Sequence, residues 1–384
     1  MEWIFLYIKN IFINNFRNYT KLDLSFEKPI NLFFGNNAEG KTNLLEAIYY
    51  LATGKSHRTK NVKELIKWDK DLFYLKSEII KKSTEIKLEL GYNLNNNKKV
   101  KINGVEKNEF KLSKMGFNVV MFSPEDLMLI KGPPEDRRRF LNLEISQTDN
   151  AYAYHLHHYN KTLRQKNKFL KEKAFNFKNY DNLKDQLFIW DKQLAEHGVK
   201  ILNKRKEIIH KLGILSKLNS RKISEGQEIL ELSYLSTIDL NEIDGNAINK
   251  DLEIYYLDLL QKKEQLDKDV NKKITTIGPH RDDLLFKINK KEAKKFGSQG
   301  QIRTIVLSLK IAELELIKSE IGEYPVLLLD DVLSELDVKR RRHLLEISKN
   351  KVQTFITGTK KEDFMNEILN SAQIFNVKDG EVYT

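Results

Sequence analysis

The chain has 384 residues, 40% of them apolar, which is enough for more than one compact unit with a core. It has no cysteine, which excludes disulfides and thiolate zinc sites. Its net charge of +12 suits a polyanionic partner, although solvated lysines alone would give the same balance; the mean hydropathy of −0.52 and the lack of any long apolar run exclude a membrane span.

Residues 1–16 hold short apolar stretches broken by Glu2, Lys9 and Asn10. This reads as a strand pair rather than a cleaved leader, because small-residue cleavage chemistry is missing, and the expected address is the cytoplasm. Ile30–Phe34 is a tight apolar strand. Thr42–Ala52 has helical spacing, with Leu44, Leu45, Ile48 and Tyr49 on one side and Gly54 just past its end. Residues 72–105 read as antiparallel strands, as in Glu85–Leu90 and Lys99–Ile102, with Asn103 and Gly104 as a turn. From about Pro124 to Asp269 long charged segments with helical periodicity take over, at 151–172, 183–215 and 247–270. Short strands return from Ile274, and Tyr324–Leu329 is a second buried strand. The expected organisation is an α/β unit split over 1–122 and 271–384, carrying an antiparallel β subdomain, with a mostly helical lobe inserted over 123–270.

Between the first apolar strand and its helix lie Gly35, Asn36, Asn37, Ala38, Glu39, Gly40, Lys41 and Thr42, followed by Asn43. The pattern is G-x-x-x-x-G-K-[ST] in the strand–loop–helix setting that a phosphate loop needs. Glycines let backbone N–H groups wrap phosphate oxygens, and the helix N-terminus adds a favourable dipole. Lys41 is expected on the β- and γ-phosphates of ATP, and the Thr42 hydroxyl on Mg²⁺.

Val326–Leu329 ends in Asp330 and Asp331. A strand tip beside the phosphate loop puts Asp330 on the Mg²⁺ shell and leaves Asp331 to polarise water as a general base. Ser298, Gln299, Gly300 and Gln301 precede an amphipathic helix expected over 302–318, where hydroxyl and N–H donors can face an anion. Ser334 to Asp337 follow the acids at the spacing of a D-loop, with Asp337 its last residue. Phosphate loop, insertion, signature and acidic strand stand in the order of an ATP-binding cassette. In that class the signature completes the γ-phosphate site of a second subunit, so ATP is expected to join a homodimer.

Several islands carry a resemblance. They are Phe16 to Tyr19, Asn36 to Ala47, Gly54 to Arg58, Phe122 to Leu127, Lys131 to Pro134 with Arg137 to Leu141, Gly278 to Asp283, Ser298 to Gln301 and Leu329 to Asp337. Together they resemble the RecF family of recombination-mediator ATPases. The resemblance implies an SMC-like, ABC-type head without a long coiled coil. It implies ATP-dependent dimerisation on DNA, slow DNA-stimulated hydrolysis, and work with RecO and RecR to load a recombinase at single-strand gaps in repair, replication and the SOS response, near the nucleoid. It also implies that Arg17 contacts nucleotide phosphate and that Ser298 acts in trans. Three features depart from the wider cassette class: Asp331 where many cassettes carry Glu, Thr357 at the end of Gln353–Thr357 where many carry His, and Ser123 about where a Q-loop glutamine would stand. The first two imply modest turnover.

Basic clusters at Lys55, His57, Arg58, Lys60 and Lys63, at Arg137, Arg138 and Arg139, and at Lys339 to Arg342 are each candidates for DNA phosphates and equally for solvated helix faces. Lys339 to Arg342 can instead support the D-loop helix. The spacing of His155, His157 and His158 does not put all three on one helical face, which argues against a metal site, and Tyr152, Tyr154, Tyr159, Phe169 and Trp190 read as lobe core. A transporter cassette would have a shorter insertion, and an SMC-like nuclease an added acidic metal domain. A clamp that binds ATP and hardly turns it over remains an alternative to the ATPase.

Overall fold

The computed structural model describes residues 6–81, 84–107, 117–172, 180–239, 249–348, 352–359, 364 and 366–383; residues 1–5 of the expected N-terminal strand pair and residues 247–248 of the expected third helix lie outside these. In chain order, β1 (Tyr7–Phe16), β2 (Tyr19–Ser25) and β3 (Ile30–Phe34) lead to α1 (Lys41–Thr53). Then come β4 (Leu72–Lys81), β5 (Thr84–Asn93), β6 (Lys98–Ile102), β7 (Val105–Glu106) and β8 (Val119–Phe122). The helices α2 (Pro134–Thr148), α3 (Asn150–Glu172) and α4 (Tyr180–Ile223) precede β9 (Leu230–Leu235), α5 (Asn249–Gln261), α6 (Lys263–Lys272), β10 (Asp283–Ile288) and β11 (Lys291–Glu292). Last are α7 (Gln299–Ile321), β12 (Val326–Leu329), α8 (Val338–Ser348), β13 (Thr354–Gly358), α9 (Asn366–Ser371), β14 (Gln373–Lys378) and β15 (Glu381–Tyr383).

One compact unit gathers Met1–Leu127, Leu215–Leu230 and Gly297–Thr384. Its first sheet has the order β15-β14-β3-β13-β12-β8, parallel throughout except for β15. Every residue of β3, β8, β12 and β13 is buried, as expected where both faces of a parallel sheet are covered. Phe33 stacks on Phe375 at 4.8 Å, and Phe26 meets Phe355 edge-on at 4.8 Å. The second sheet is antiparallel, β2-β1-β4-β5-β6-β7. Its strands alternate: β4 buries Phe73, Leu75, Ser77 and Ile79 and turns the residues between them outward. Asn103 (φ 51°) and Gly104 (φ 78°) join β6 to β7, the two left-handed positions of a type I′ hairpin.

The other unit gathers Met128–Ile214 and Glu231–Phe296. Here α2, α3, α4 up to Ile214, α5 and α6 accompany a small sheet of order β11-β10-β9. Leu170, Leu183, Leu187 and Leu266 form one core cluster, with Phe169 against Trp190 at 5.2 Å. Lys166 is fully buried, 2.6 Å from Asp191 and 3.4 Å from Asp269. Asp191 also accepts from Gln261 (2.8 Å) and Asp269 from the Thr276 N–H (2.9 Å), so hydrogen bonds offset the desolvation of three ions. Tyr152 and Tyr159 are buried as core, whereas Tyr154 stands half exposed. His155 and His197 approach to 3.0 Å through their Nδ1 atoms; among the described residues no group of three His, Asp or Glu is placed to hold a metal ion. No helix among them is long and apolar enough to cross a membrane.

These units are cut differently from the expected 1–122, 123–270 and 271–384. Residues 215–230 belong with the first unit, and 271–296 stay with the helical one. Hydrogen bonds explain the second shift. Buried Arg205 donates to Pro279 O (2.6 Å), Asn142 (2.7 Å) and Tyr152 (3.0 Å). Asp282 accepts from the N–H and hydroxyl of Thr237 (2.7 and 2.9 Å) and from Tyr234. The island Gly278 to Asp283 is thereby fixed inside the helical unit.

Candidate nucleotide site

The buried strand β3 delivers the chain into a loop that two glycines make possible. A Cβ on Gly35 would lie 2.2 Å from the carbonyl oxygen of Val377, and Gly40 sits at φ 118° with Asn18 Nδ2 2.5 Å from where its Cβ would be. No side chain caps α1, so its first N–H groups remain for an anion. Lys41 folds back over the loop, its Nζ donating to Gly35 O (2.7 Å) and Asn36 O (2.6 Å). Burial pushes the Lys41 ammonium down, while Asp331, Asp330 and Glu39 pull it back up.

The rim of the loop is held from two distant segments. Asn18 donates to Glu39 O (3.0 Å) and accepts from Asn43 (2.8 Å), and Tyr19 donates to Gly40 O (3.0 Å). The Gly380 N–H donates to Glu39 O (3.1 Å). The loop pattern takes in Asn43 but not Asn18, Tyr19 or Gly380; Asn18 and Tyr19 lie beside Arg17 in one of the islands, which is their available signal.

The acidic strand β12 runs beside β8 and β13, and the Asp330 N–H donates to Phe122 O (2.8 Å), next to the buried Ser123. Thr42 Oγ1 donates to Asp330 Oδ1 (2.9 Å), which joins the phosphate-loop helix to the strand tip. Thr357 Oγ1 donates to the same oxygen (2.8 Å) and accepts from the Asp331 N–H (2.9 Å). Asp331 is left-handed at φ 51°, an uncommon state for a non-glycine residue. Burial raises the Asp330 carboxyl above the usual range, the Thr357 and Thr42 hydroxyls lower it, and Glu125 and Asp331 raise it further. A hydroxyl and a carboxylate meeting beside an ammonium form the oxygen donor set that suits Mg²⁺.

Ser298 caps α7, its Oγ accepting from Gln301 N–H (3.2 Å) while the Gln301 side chain accepts from Ser298 N–H (3.0 Å). This reciprocal box starts the helix at Gln299, earlier than the expected 302. Arg340 donates to Asp337, to Thr304 Oγ1 (2.7 Å) and to Gly300 O (3.4 Å), so the D-loop and the signature turn are tied together. Lys310, on the same helix, pairs with Asp126 (3.3 Å) and Glu313 (3.3 Å). Among the described residues no hydrogen bond or ion pair links Ser298 to Gln301 with the phosphate loop.

The cationic candidates separate by burial. Arg17 is left-handed (φ 52°), grips fully buried Glu46 in a fork (2.8 and 2.9 Å) and donates to Glu64 O (2.9 Å). Arg137 is corrected from a DNA-facing residue to an internal one. It is 4% exposed and donates to both oxygens of Asp283 (2.6 and 2.9 Å), to Leu129 O and to Gly132 O. Arg138 is half-buried on Asp282 O (2.8 Å), whereas Arg139 is exposed. Lys55, Arg58 and Lys60 are exposed, with Arg58 reaching Asn43 (3.1 Å). Lys339 pairs with Glu225 at the surface (2.8 Å).

Residues 7–382 match the family described as RecF/RecN/SMC N terminal domain. The chain is 49% identical over 373 residues to the DNA replication and repair protein RecF of Natranaerobius thermophilus, covering 96% of both. The chain belongs to the RecF family. It is also 46% identical to RecF of Bacillus thuringiensis over 377 residues, 98% of each. A solved RecF–ATP structure, described as a recombination mediator protein in the RecFOR pathway, superposes with a TM-score of 0.88 at 38% identity, over the whole of this chain and 98% of that one. The Smc head domain of Pyrococcus furiosus superposes with a TM-score of 0.52 at 15% identity, a likeness of fold. The RecF-family fold is therefore the α/β, ABC-type head that the motif order implied.

Proposed function

We propose that this RecF-family chain is a DNA-binding ATPase that acts as a recombination mediator. The observation that carries the ATPase is the 2.9 Å bond from Thr42 Oγ1 to Asp330 Oδ1 at the mouth of the Lys41 loop. ATP phosphates lie on the uncapped N-terminus of α1, and Lys41 exchanges its two loop carbonyls for β- and γ-phosphate oxygens. Thr42 and Asp330 would hold Mg²⁺, which would supply positive charge against the phosphates. Asp331 orients and deprotonates the attacking water, with Thr357 fixing its backbone. Ser298 and Gly300, with Asp337 behind them, complete the site of a second copy, so ATP joins two chains. The homodimer closes on DNA at single-strand gaps, with RecO- and RecR-type mediators as partners, in the cytoplasm near the nucleoid.

The similarity to DNA replication and repair proteins named RecF, and to a solved RecF described as a recombination mediator, supports the mediator role. A clamp with little turnover is the second reading, favoured by the short Asp331 carboxylate and by Thr357 in place of an imidazole. Sedimentation with and without ATP, on gapped and on intact duplex DNA, tests the proposal. Lys41→Arg keeps ATP binding and loses hydrolysis, and Ser298→Arg keeps monomer binding and loses the ATP-driven dimer. Asp331→Asn traps the dimer. Unchanged turnover in Lys41→Arg, or a normal dimer in Ser298→Arg, overturns it.

A further inference from the structure

Trp68 is the most exposed large apolar side chain among the described residues, at 91%. The backbone that carries it is firmly held. Ile66 bridges Phe16, Lys67 N–H donates to Asn15 O (2.9 Å), and Lys67 Nζ reaches Asn18 O (2.5 Å). Lys70 N–H donates to Lys67 O (3.2 Å), closing a turn with Asp69 at φ 61°. Beyond the turn, Leu94 N–H donates to Asp71 O (3.0 Å). The indole is thus presented from a turn tied to β1 on one side and β5 on the other.

Its chain neighbours are cationic. Residues 55–71 hold six cations (Lys55, Arg58, Lys60, Lys63, Lys67, Lys70) and three acids (Glu64, Asp69, Asp71). Lys63 and Lys70 are exposed and make no ion pair among the described residues. A ligand that matches both features needs a flat π face and repeated anions. Nucleic acid supplies both, since every base offers a face to an aromatic ring and every nucleotide a phosphate. An acidic peptide would satisfy the lysines and leave the ring in water. An intact duplex offers phosphates but hides its base faces, except where stacking ends.

We propose that Trp68 stacks on an unpaired base of single-stranded DNA beside a duplex edge, with Lys63 and Lys70 on the neighbouring phosphates. This rests on the DNA-binding reading above and names the part of a gapped substrate that this turn recognises. The ring also discriminates a gap from continuous duplex, which phosphate contacts alone cannot do.

The test measures binding of the full chain, with ATP and Mg²⁺, to three labelled DNAs: a single strand, a gapped duplex, and a relaxed, covalently closed circular duplex. Trp68→Ala weakens the first two by about tenfold or more, within the range for aromatic–base stacking, and leaves the closed duplex unchanged. Trp68→Phe retains most of the affinity. Lys63→Gln with Lys70→Gln weakens all three and flattens the salt dependence. The thermal midpoint of Trp68→Ala stays at the wild-type value, because the ring buries almost nothing. Wild-type affinity of Trp68→Ala for the gapped duplex, or an equal loss on the closed duplex, overturns the stacking role. So does loss of a protein partner with DNA binding intact. Failure of the wild-type chain on all three DNAs overturns the DNA-binding reading itself, and stacking with it.

Discussion

Thr357→Val should slow ATP turnover far more than it weakens ATP binding. The threonine hydroxyl donates to Asp330 Oδ1 (2.8 Å) and accepts from Asp331 N–H (2.9 Å), so one atom sets both acids. Valine keeps the branched shape inside β13 and removes both bonds. A left-handed backbone costs a non-glycine residue roughly 1–2 kcal/mol, and the bond that the Asp331 N–H donates to Thr357 Oγ1, with the one that Ser334 Oγ donates to Asp331 O, supports Asp331 at φ 51°. Without an acceptor for its N–H, Asp331 relaxes and carries its carboxylate away from the place proposed for the attacking water. A hydrogen bond to a charged group contributes about 1.5–3 kcal/mol, and Asp330 loses one of its two hydroxyl donors. Burial already pushes this carboxyl up, so the loss favours its protonated form. With about half of this combined cost felt in the transition state, turnover falls by about 10- to 100-fold, at about 1.4 kcal/mol per factor of ten. The Lys41 loop is untouched, so the ATP dissociation constant changes little. Thr357→Ser, which keeps the hydroxyl, should turn over close to the wild-type rate. Steady-state phosphate release on DNA, with ATP affinity by titration, makes the measurement. Wild-type turnover in Thr357→Val would show that the hydroxyl sets neither acid.

Arg137→Ala breaks a buried fork and should cost about 3–5 kcal/mol, lowering the thermal midpoint of the helical unit by on the order of 10 °C. Exposed Arg139→Ala leaves the midpoint unchanged; an Arg137→Ala chain that melts normally yet loses DNA affinity would restore Arg137 to the DNA surface. Burial pushes His280 down from its ordinary 6.5 to about 3, with Nε2–H donating to Thr275 O (2.9 Å) and Nδ1 accepting from Tyr159 (2.7 Å). The unfolded chain takes up a proton near 6.5 that the folded chain refuses until about 3, so this contribution to stability is complete above that window and lost as pH falls through it. The slope is at most about 1.4 kcal/mol per pH unit, and urea titrations between those limits should show it flatten in His280→Asn; an identical slope in the variant would remove His280 as its source. Gly35→Ala puts a methyl 2.2 Å from Val377 O, a backbone atom that cannot step aside. The variant should lose the rise in melting temperature that ATP gives the wild type, and a full ATP-induced rise would show that the loop tolerates a Cβ.

The local elements of the site were legible because their signals are local. An apolar run broken only by Asn31 made β3, a G-x-x-x-x-G-K-[ST] turn made the loop, and helical spacing over Thr42–Ala52 found α1, which runs Lys41–Thr53 with Gly54 closing it at φ 68°. The acids at the tip of β12 were legible for the same reason. What was not legible depends on partners far away in the chain. Asn18 and Tyr19 support the loop across a hairpin, and Thr357 reached the acids only once β13 lay beside β12. Thr357 was read as a missing imidazole, although the structure gives it two bonds of its own. Arg137, Arg138 and Arg139 look alike in sequence, and only the position of Asp283 decides that the first is internal. The exit from the helical unit was placed too early because the island Gly278 to Asp283, a Gly-Pro pair followed by polar residues, has loop composition, while Arg205, Thr237 and Tyr234 hold it inside.

The phosphate-loop strand β3 lies between β13 and β14, which are supplied by the far end of the chain. The rim of its loop depends on the same region, through an Asp379 N–H that reaches Glu39 across 340 residues of sequence. During synthesis β3 therefore emerges early and waits through the whole helical insertion for both of its neighbours, on the order of tens of seconds at bacterial elongation rates. A nascent or prematurely terminated chain therefore has no formed nucleotide pocket. The topology thus makes translation through β14 a precondition for a complete phosphate loop, and an incomplete chain carries the loop's sequence without its support.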